Sequence, residues 1–308
     1  MRSPLGGTHL PTMMACIIEL FAGIAGLLVM FDALAPWFLR RAFRAPRMVE
    51  KGTPARFNLP YQEISIDTEG GKRLFAWYIS APPITSAPLQ APAIAVIHGW
   101  GGNAEMMLPF APVLHRAGYP LLFFDARNHG KSDADDFSSM PKFAEDLEHA
   151  IDWLEARPDV APGRVAILGH SLGAAAALLV ASRRRVAGVV SIGAFAHPAV
   201  VMRRLMADHH VPFWPVGRWV LKTVERQIGV RFADIAPIAT IQRIKCPVLL
   251  VHGEDDAQVP VADARAIYAQ RKNERVQLWV LPKAGHNSIH KIEDYGAQLV
   301  AFLDNVFG

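Results

Sequence analysis

The sequence predicts an α/β fold in which a mostly parallel central sheet carries helices on both faces. Three observations lead there. Six short apolar runs, at residues 93–97, 119–124, 164–168, 186–192, 247–251 and 276–281, each have the length of one buried strand. Segments of helix length separate them, and such alternation is the pattern of a parallel sheet covered on both sides. The composition, 51% hydrophobic and 19% charged over 308 residues, supplies a large core and excludes a disordered or collagen-like chain.

Taken in order, the first element is an apolar stretch at residues 13–31, whose only charge is Glu19. At about 1.5 Å per residue such a helix is about 28 Å long, close to the ~30 Å of a bilayer core. Trp37 and Phe38 suit the interface, and Arg40, Arg41, Arg44 and Arg47 follow. Residues 1–50 are therefore expected to form an amino-terminal membrane-anchor helix with a basic flank. The arginine asymmetry predicts a single pass with the following domain on the cytoplasmic side. A helix lying in the interface or packed on the domain is the alternative. A signal peptide fits less well, because Ala33-Leu34-Ala35 is followed by Pro36.

Residues 51–308 are expected to form the main domain. Residues 61–67 and 72–80 alternate apolar and polar around Glu69-Gly70-Gly71, which predicts an antiparallel hairpin. Helical patterning covers residues 103–117, 141–156, 172–182, 261–270 and 287–306. One interval breaks the rhythm. Residues 197–243 hold helical patterns at 199–206 and 214–224, which predicts a helical cap inserted over the carboxyl ends of the strands.

The net charge of +4 resides in the arm, since seven basic and three acidic residues precede position 57. The body is neutral, which argues against nucleic-acid binding. Cys16 and Cys246 are distant and have no CxxC partner, so neither a disulfide framework nor a metal site is expected. Asp208-His209-His210 places its histidines on different helix faces, again arguing against metal.

The strongest chemical signal is Gly169-His170-Ser171-Leu172-Gly173, which follows the run RVAIL and opens the helical stretch LGAAAALLVAS. A serine held in a sharp strand-to-helix turn needs small neighbours two residues away on each side, and Gly169 and Gly173 supply them. The turn exposes the hydroxyl, and the helix start aims the Leu172 N–H at an incoming oxyanion. A serine hydroxyl is a poor nucleophile without a base that is itself oriented. Asp256 follows the run 247–251 and His286 follows the run 276–281, so both fall at the carboxyl edge with Ser171. Glu254 and Asp255 compete with Asp256 for the acid role, and His290 competes with His286 as base. The second oxyanion donor is expected from His98-Gly99-Trp100-Gly101-Gly102-Asn103, where the Trp100 N–H is the candidate. His98 and the polar stretch 125–132 are expected to be structural supports. Met202, Met206, Phe213, Trp214 and Trp219 line either an acyl pocket or a plain cap core.

The segments HGWGG, DARNHGKSD, GHSLG, GEDDAQVP and AGH, in this order, resemble the α/β-hydrolase family from residue 61 onward. The nearest flavour is the serine-aminopeptidase-like and prolyl-oligopeptidase-like branch. In relatives with a G-x-x-D-x-x-V-P loop the acid is the aspartate three after the glycine, which here is Asp256. The serine at the elbow separates the chain from the similar haloalkane dehalogenases, which carry aspartate there. The resemblance implies a serine hydrolase of carboxylic esters or thioesters, with catalytic Ser171, Asp256 and His286, oxyanion donors Trp100 and Leu172, and no cofactor or metal. A small-peptide amide hydrolase and a non-catalytic membrane-tethered scaffold are the alternatives.

Overall fold

The computed structural model describes residues 30, 32–41, 44–82 and 90–308, without the side chains of residues 289, 290 and 292–294. Two compact units divide the chain, Met1–Ala42 and Phe43–Gly308. In the first, residues 32–41 are helical, with Leu34, Trp37 and Phe38 exposed and the last two rings in edge contact at 4.8 Å. The apolar stretch 13–31 lies outside the described residues except for Met30. No helix among the described residues is long and apolar enough to cross a membrane.

The second unit is built on one eight-stranded sheet: β1 (Gln62–Thr68), β2 (Lys72–Ile79), β3 (Ala91–Ile97), β4 (Leu121–Phe124), β5 (Val160–His170), β6 (Val189–Ile192), β7 (Val248–Gly253) and β8 (Val276–Leu281). The spatial order is β1-β2-β4-β3-β5-β6-β7-β8. β1 and β2 form the hairpin, closed by Glu69–Gly71 with Gly70 and Gly71 at positive φ, and β2 pairs antiparallel with β4. All remaining pairs are parallel. Five of the continuous apolar runs are thus interior strands of the sheet, the sixth, β8, is its half-buried far edge, and the alternating ones form the edge hairpin on the other side.

Helices follow the strands in turn: α1 (Ala104–Met107), α2 (Ala111–Arg116), α3 (Met140–Glu155), α4 (Leu172–Ala181), α5 (Pro198–Asp208), α6 (Arg218–Ile228), α7 (Phe232–Ile235), α8 (Pro237–Thr240), α9 (Val261–Ala269) and α10 (Ile292–Phe307). One face of the sheet packs α1, α2 and α10, through Met107, Leu114, Leu299 and Phe302 against Ile94, Val96, Leu168 and Val251. α3 and α4 cover the other face. α4 is apolar all round and, from Gly173 to Ala181, wholly buried, as its sequence demands.

Three expectations change in detail. The helix expected over 103–117 breaks into α1, a tight turn at Leu108–Phe110, and α2, because Pro109 and Pro112 have no N–H to donate. The strand expected at 164–168 runs on to His170, which delivers the Ser171 turn to the sheet's edge. The last helix starts at Ile292 rather than 287, after a turn at Ser288–Lys291.

The insertion between β6 and β7 contains α5 to α8. Its root is held by Asp263 of α9, whose carboxylate accepts from the Ala196 N–H (3.2 Å) and pairs with Arg204 (3.0 Å). Within it Gly217 is closely approached: a Cβ there would lie 2.9 Å from Phe213 and 3.3 Å from Met206 Sδ. These two belong to the cap's own packing. Trp214 is 71% exposed.

Residues 44–50, read from sequence with the arm's basic flank, pack on the body. Arg47 donates to the Ser132 carbonyl (2.9 Å), and the Met48 carbonyl accepts from Asn103 Nδ2 (3.0 Å).

Candidate active site

Ser171 sits between β5 and α4 with φ 52° and ψ −115°. A non-glycine residue there stores about 1–3 kcal/mol of strain, which the surroundings must over-determine. They do. The Ser171 N–H donates to the Ile192 carbonyl of β6 (2.8 Å), and its carbonyl accepts from Ala175 N–H (3.0 Å). The flanking glycines are needed for space. A Cβ on Gly169 would lie 2.5 Å from the Gly173 carbonyl oxygen, and one on Gly173 would lie 2.3 Å from the His98 carbonyl oxygen. Gly173→Ala should therefore lower unfolding stability by about 3 kcal/mol or more, as overpacking against backbone does. Urea denaturation checks this, and a wild-type midpoint would contradict it.

Two other loops bring partners to this turn. His286 Nε2 lies 2.9 Å from Ser171 Oγ, and His286 Nδ1 lies 2.7 Å from Asp256 Oδ2. Asp256 is 5% exposed, whereas Glu254 and Asp255 face solvent. The other oxygen, Asp256 Oδ1, accepts the N–H groups of Gln258 (3.0 Å) and Val259 (2.8 Å), which fixes the carboxylate's rotation. Burial alone would raise this carboxyl's pKa. Hydrogen bonds from His252, His286 and the Val259 N–H outweigh it and hold Asp256 well below the usual carboxylate range. Asp256 is therefore an anion facing the imidazole. The side chain of His290 lies outside the described residues.

The expected oxyanion donors come from two elements that meet here. Leu172 is the first residue of α4, where N–H groups have no intrahelical acceptor. The loop after β3 reaches the same turn, since a Cβ on Gly99 would lie 2.9 Å from Ser171 Cβ. Trp100 follows, its side chain 40% exposed at the site's rim.

That loop is held from beneath by neutral histidines. His98 Nδ1–H donates to the Gly99 carbonyl (2.7 Å), and Nε2 accepts from the Ala126 N–H (3.1 Å). Burial, with repulsion from His129, pushes His98 down to about 3. Both of its nitrogens are occupied, so it is not free to take up a proton. His129 repeats the arrangement, with Nδ1–H on the Arg127 carbonyl (2.9 Å) and Nε2 accepting from Gly101 N–H (3.1 Å). The stretch 125–132 is thus a brace for the 98–103 loop.

The brace also contains a carboxyl pair. Asp125 accepts from the Ala104 N–H (2.7 Å) and the Lys131 N–H (2.8 Å) and faces Glu50. Both Glu50 oxygens are buried without a hydrogen-bond donor among the described residues, so the two groups bond only when Asp125 carries a proton between them. Burial, then the hydrogen bond and like charge of Glu50, raises Asp125 well above its ordinary value. Folded Asp125 keeps a proton that a free carboxyl releases near pH 4. Its stabilisation is full below that pH and is lost as pH rises. Glu50→Gln should raise Tm by about 2–4 °C at pH 8 and leave it unchanged at pH 4. A gain confined to acid pH would contradict the shared proton.

Two site residues escaped the sequence reading. His170 Nε2 donates to the His286 carbonyl (2.9 Å), tying the histidine loop to the elbow. Burial lowers His170 to about 4, so it does this as a neutral ring. Strand parity held the clue, because His170 shares a face with Ala166 and Leu168, which pack toward α10. His252 Nε2 donates to the Val259 carbonyl (2.7 Å) and lies 3.4 Å from Asp256 Oδ2.

With this geometry in place, known proteins sharpen the picture. The model of the alpha/beta hydrolase family matches residues 94–302. An uncharacterized protein of Mycobacterium tuberculosis is 30% identical over 235 residues, spanning 73% of this chain and 72% of its own. The alpha/beta hydrolase domain-containing protein WAV2 of Arabidopsis thaliana is 26% identical over 268 residues, 84% of this chain and 83% of its own. Among solved structures, the Pyrococcus furiosus esterase Pf2001 superposes with a TM-score of 0.67 at 25% identity, covering 86% of this chain and 98% of that one. Est1E from Butyrivibrio proteoclasticus, solved with ferulic acid bound, shares the fold with a TM-score of 0.62 at 22% identity, covering 79% and 99%.

Proposed function

Because the chain belongs to the alpha/beta hydrolase family, we propose that it is a serine hydrolase cleaving carboxylic esters or thioesters through an acyl-enzyme on Ser171. One observation carries the reading. Ser171 Oγ, His286 and buried Asp256 stand in a hydrogen-bonded series of 2.9 and 2.7 Å at a strained elbow. The esterase neighbour supports the choice of ester.

In the proposed reaction Ser171 Oγ attacks the acyl carbon while its proton passes to His286 Nε2. Ionised Asp256 stabilises the resulting imidazolium across 2.7 Å. The Leu172 and Trp100 N–H groups receive the oxyanion, and each such donor is worth about 3 kcal/mol in the transition state. Collapse of the tetrahedral adduct breaks the bond to the leaving alcohol or thiol, which takes the proton from His286. Water then gives a proton to His286 and attacks the acyl carbon. The carboxylic acid departs as Ser171 regains its hydrogen.

Turnover of p-nitrophenyl acetate and butyrate by the full chain, with lower kcat/KM on aminoacyl p-nitroanilides, is the expected result. A preference for the anilides would make it an amide hydrolase. Turnover of neither would leave a scaffold.

The apolar stretch 13–31 and its arginine flank support a single-pass anchor with the hydrolase domain on the cytoplasmic side. Carbonate washing should leave the full chain in the membrane pellet, and complete release would contradict the anchor.

A further inference from the structure

The candidate active site lies at the carboxyl edge of the parallel strands. The opposite edge carries a half-open concavity of about 720 Å³, beside the start of β5 and where the chain enters β6, β7 and β8. This volume lies within the range of small-molecule sites. Seven cationic side chains line it, and no lining residue is acidic.

Two of the seven are neutralised from outside the cavity. Arg183 is held by both oxygens of Glu148 at 2.8 Å, and Arg184 by Asp152 (2.8 Å) and Glu155 (3.2 Å). The other five, Arg164, Arg185, Arg243, Lys245 and Arg275, form no ion pair with a carboxylate among the described residues. Two of these are nevertheless held in place. Arg243 donates to the Asp234 carbonyl (3.1 Å) and Arg275 to the Lys245 carbonyl. The floor beneath is apolar, formed by Pro247, Val306 and Phe307, with the Arg164 guanidinium 5.9 Å from the Phe307 ring centroid.

Cations at a helix carboxyl end complement its dipole, and this accounts for Arg183, Arg184 and Arg185 after α4. It does not account for Arg164, which stands on β5 itself, or for Arg243, Lys245 and Arg275, which come from the segments entering β7 and β8. Five exposed cations around one concavity, none in an ion pair among the described residues, raise a positive potential there that attracts an anion. Guanidinium forks match the oxygens of phosphate, and phosphate carries the charge density to satisfy several at once. We infer that this concavity binds a ligand bearing phosphate groups, with Arg185, Lys245 and Arg275 as its main contacts and the Val306–Phe307 floor under its apolar portion. The inference is independent of the ester reading, since the two sites occupy opposite edges of the sheet.

The test uses the detergent-solubilised full chain, with inorganic pyrophosphate as soluble probe and sodium chloride at matched ionic strength as control. Vesicles of phosphatidylcholine, with and without one part in four of phosphatidic acid, form the second arm. A saturable rise in Tm with pyrophosphate, weakened about tenfold or more in affinity by Arg185→Gln with Arg275→Gln, is the expected result. Ester hydrolysis should be unchanged in that variant. If excess flotation on the phosphatidic acid vesicles is also lost in the variant, the phosphate comes from a lipid headgroup. If pyrophosphate alone discriminates, the ligand is soluble. No saturable shift together with no excess flotation, or equal responses of variant and wild type, would overturn the inference.

Discussion

Replacing Ser171 with alanine should lower kcat for p-nitrophenyl acetate by about 10⁴–10⁶-fold, with the protein still folded and KM little changed. The size follows from the way the three groups act together. Without the hydroxyl, His286 and Asp256 have no nucleophile to activate, and hydrolysis falls to what the amide donors achieve with water alone. The stability readout should hardly move. Ser171 adopts φ 52° whatever its side chain, so alanine retains the backbone strain and loses only the hydrogen bond to His286 Nε2. A net change within about 1 kcal/mol is expected from urea denaturation. An alanine variant that keeps more than a tenth of wild-type kcat would move the chemistry away from this residue.

Asp256→Asn should cost about 10⁴-fold in kcat, while the neighbouring Asp255→Asn leaves kcat within about twofold. The difference is one of hydrogen-bond direction. Oδ1 of Asp256 takes the Gln258 and Val259 N–H groups, so an asparagine keeps its carbonyl oxygen there. Its NH₂ then faces His286 Nδ1 and donates to it. That forces the tautomer whose proton sits on Nε2, facing Ser171 Oγ, and the ring can no longer accept the serine proton. The same NH₂ faces the His252 Nε2–H at 3.4 Å, donor against donor. Asp255 is exposed, and its N–H, which bonds the Ala284 carbonyl (3.0 Å), is untouched by the substitution. Linkage adds a second readout. Because the folded-state pKa of Asp256 is depressed, its contribution to stability is present above about pH 4 and fades as pH falls further. The asparagine variant should therefore be less stable than wild type at neutral pH and close to it in strong acid. The reverse outcome in kcat, with Asp255 essential, would reassign the acid.

Much of this was legible in the chain because local rules govern it. Apolar runs fixed the central strands, and Pro109 and Pro112 mark the helix break that a pure periodicity reading passes over. Ser171, Asp256 and His286 could be picked out since each follows a strand end on the same edge. Spacing left Glu254, Asp255 and Asp256 side by side; contact with His286 belongs to the buried one, which no local rule states. The partners of His170 and Glu50 were illegible for the same reason. The first meets His286 across 116 positions of sequence, and the second faces Asp125 from a segment that reads as a basic linker. The cap lies between these extremes. Its helical character showed in the apolar spacing, while the outward Trp214 depended on packing around Gly217.

The central claim is that one residue carries an activated alcohol. Peptide mapping by mass spectrometry after treatment with a fluorophosphonate tests it most directly. A single stoichiometric adduct on the peptide containing Ser171, suppressed in His286→Ala, is the predicted result. An adduct on a different residue, or none on wild-type protein that hydrolyses esters, would contradict it.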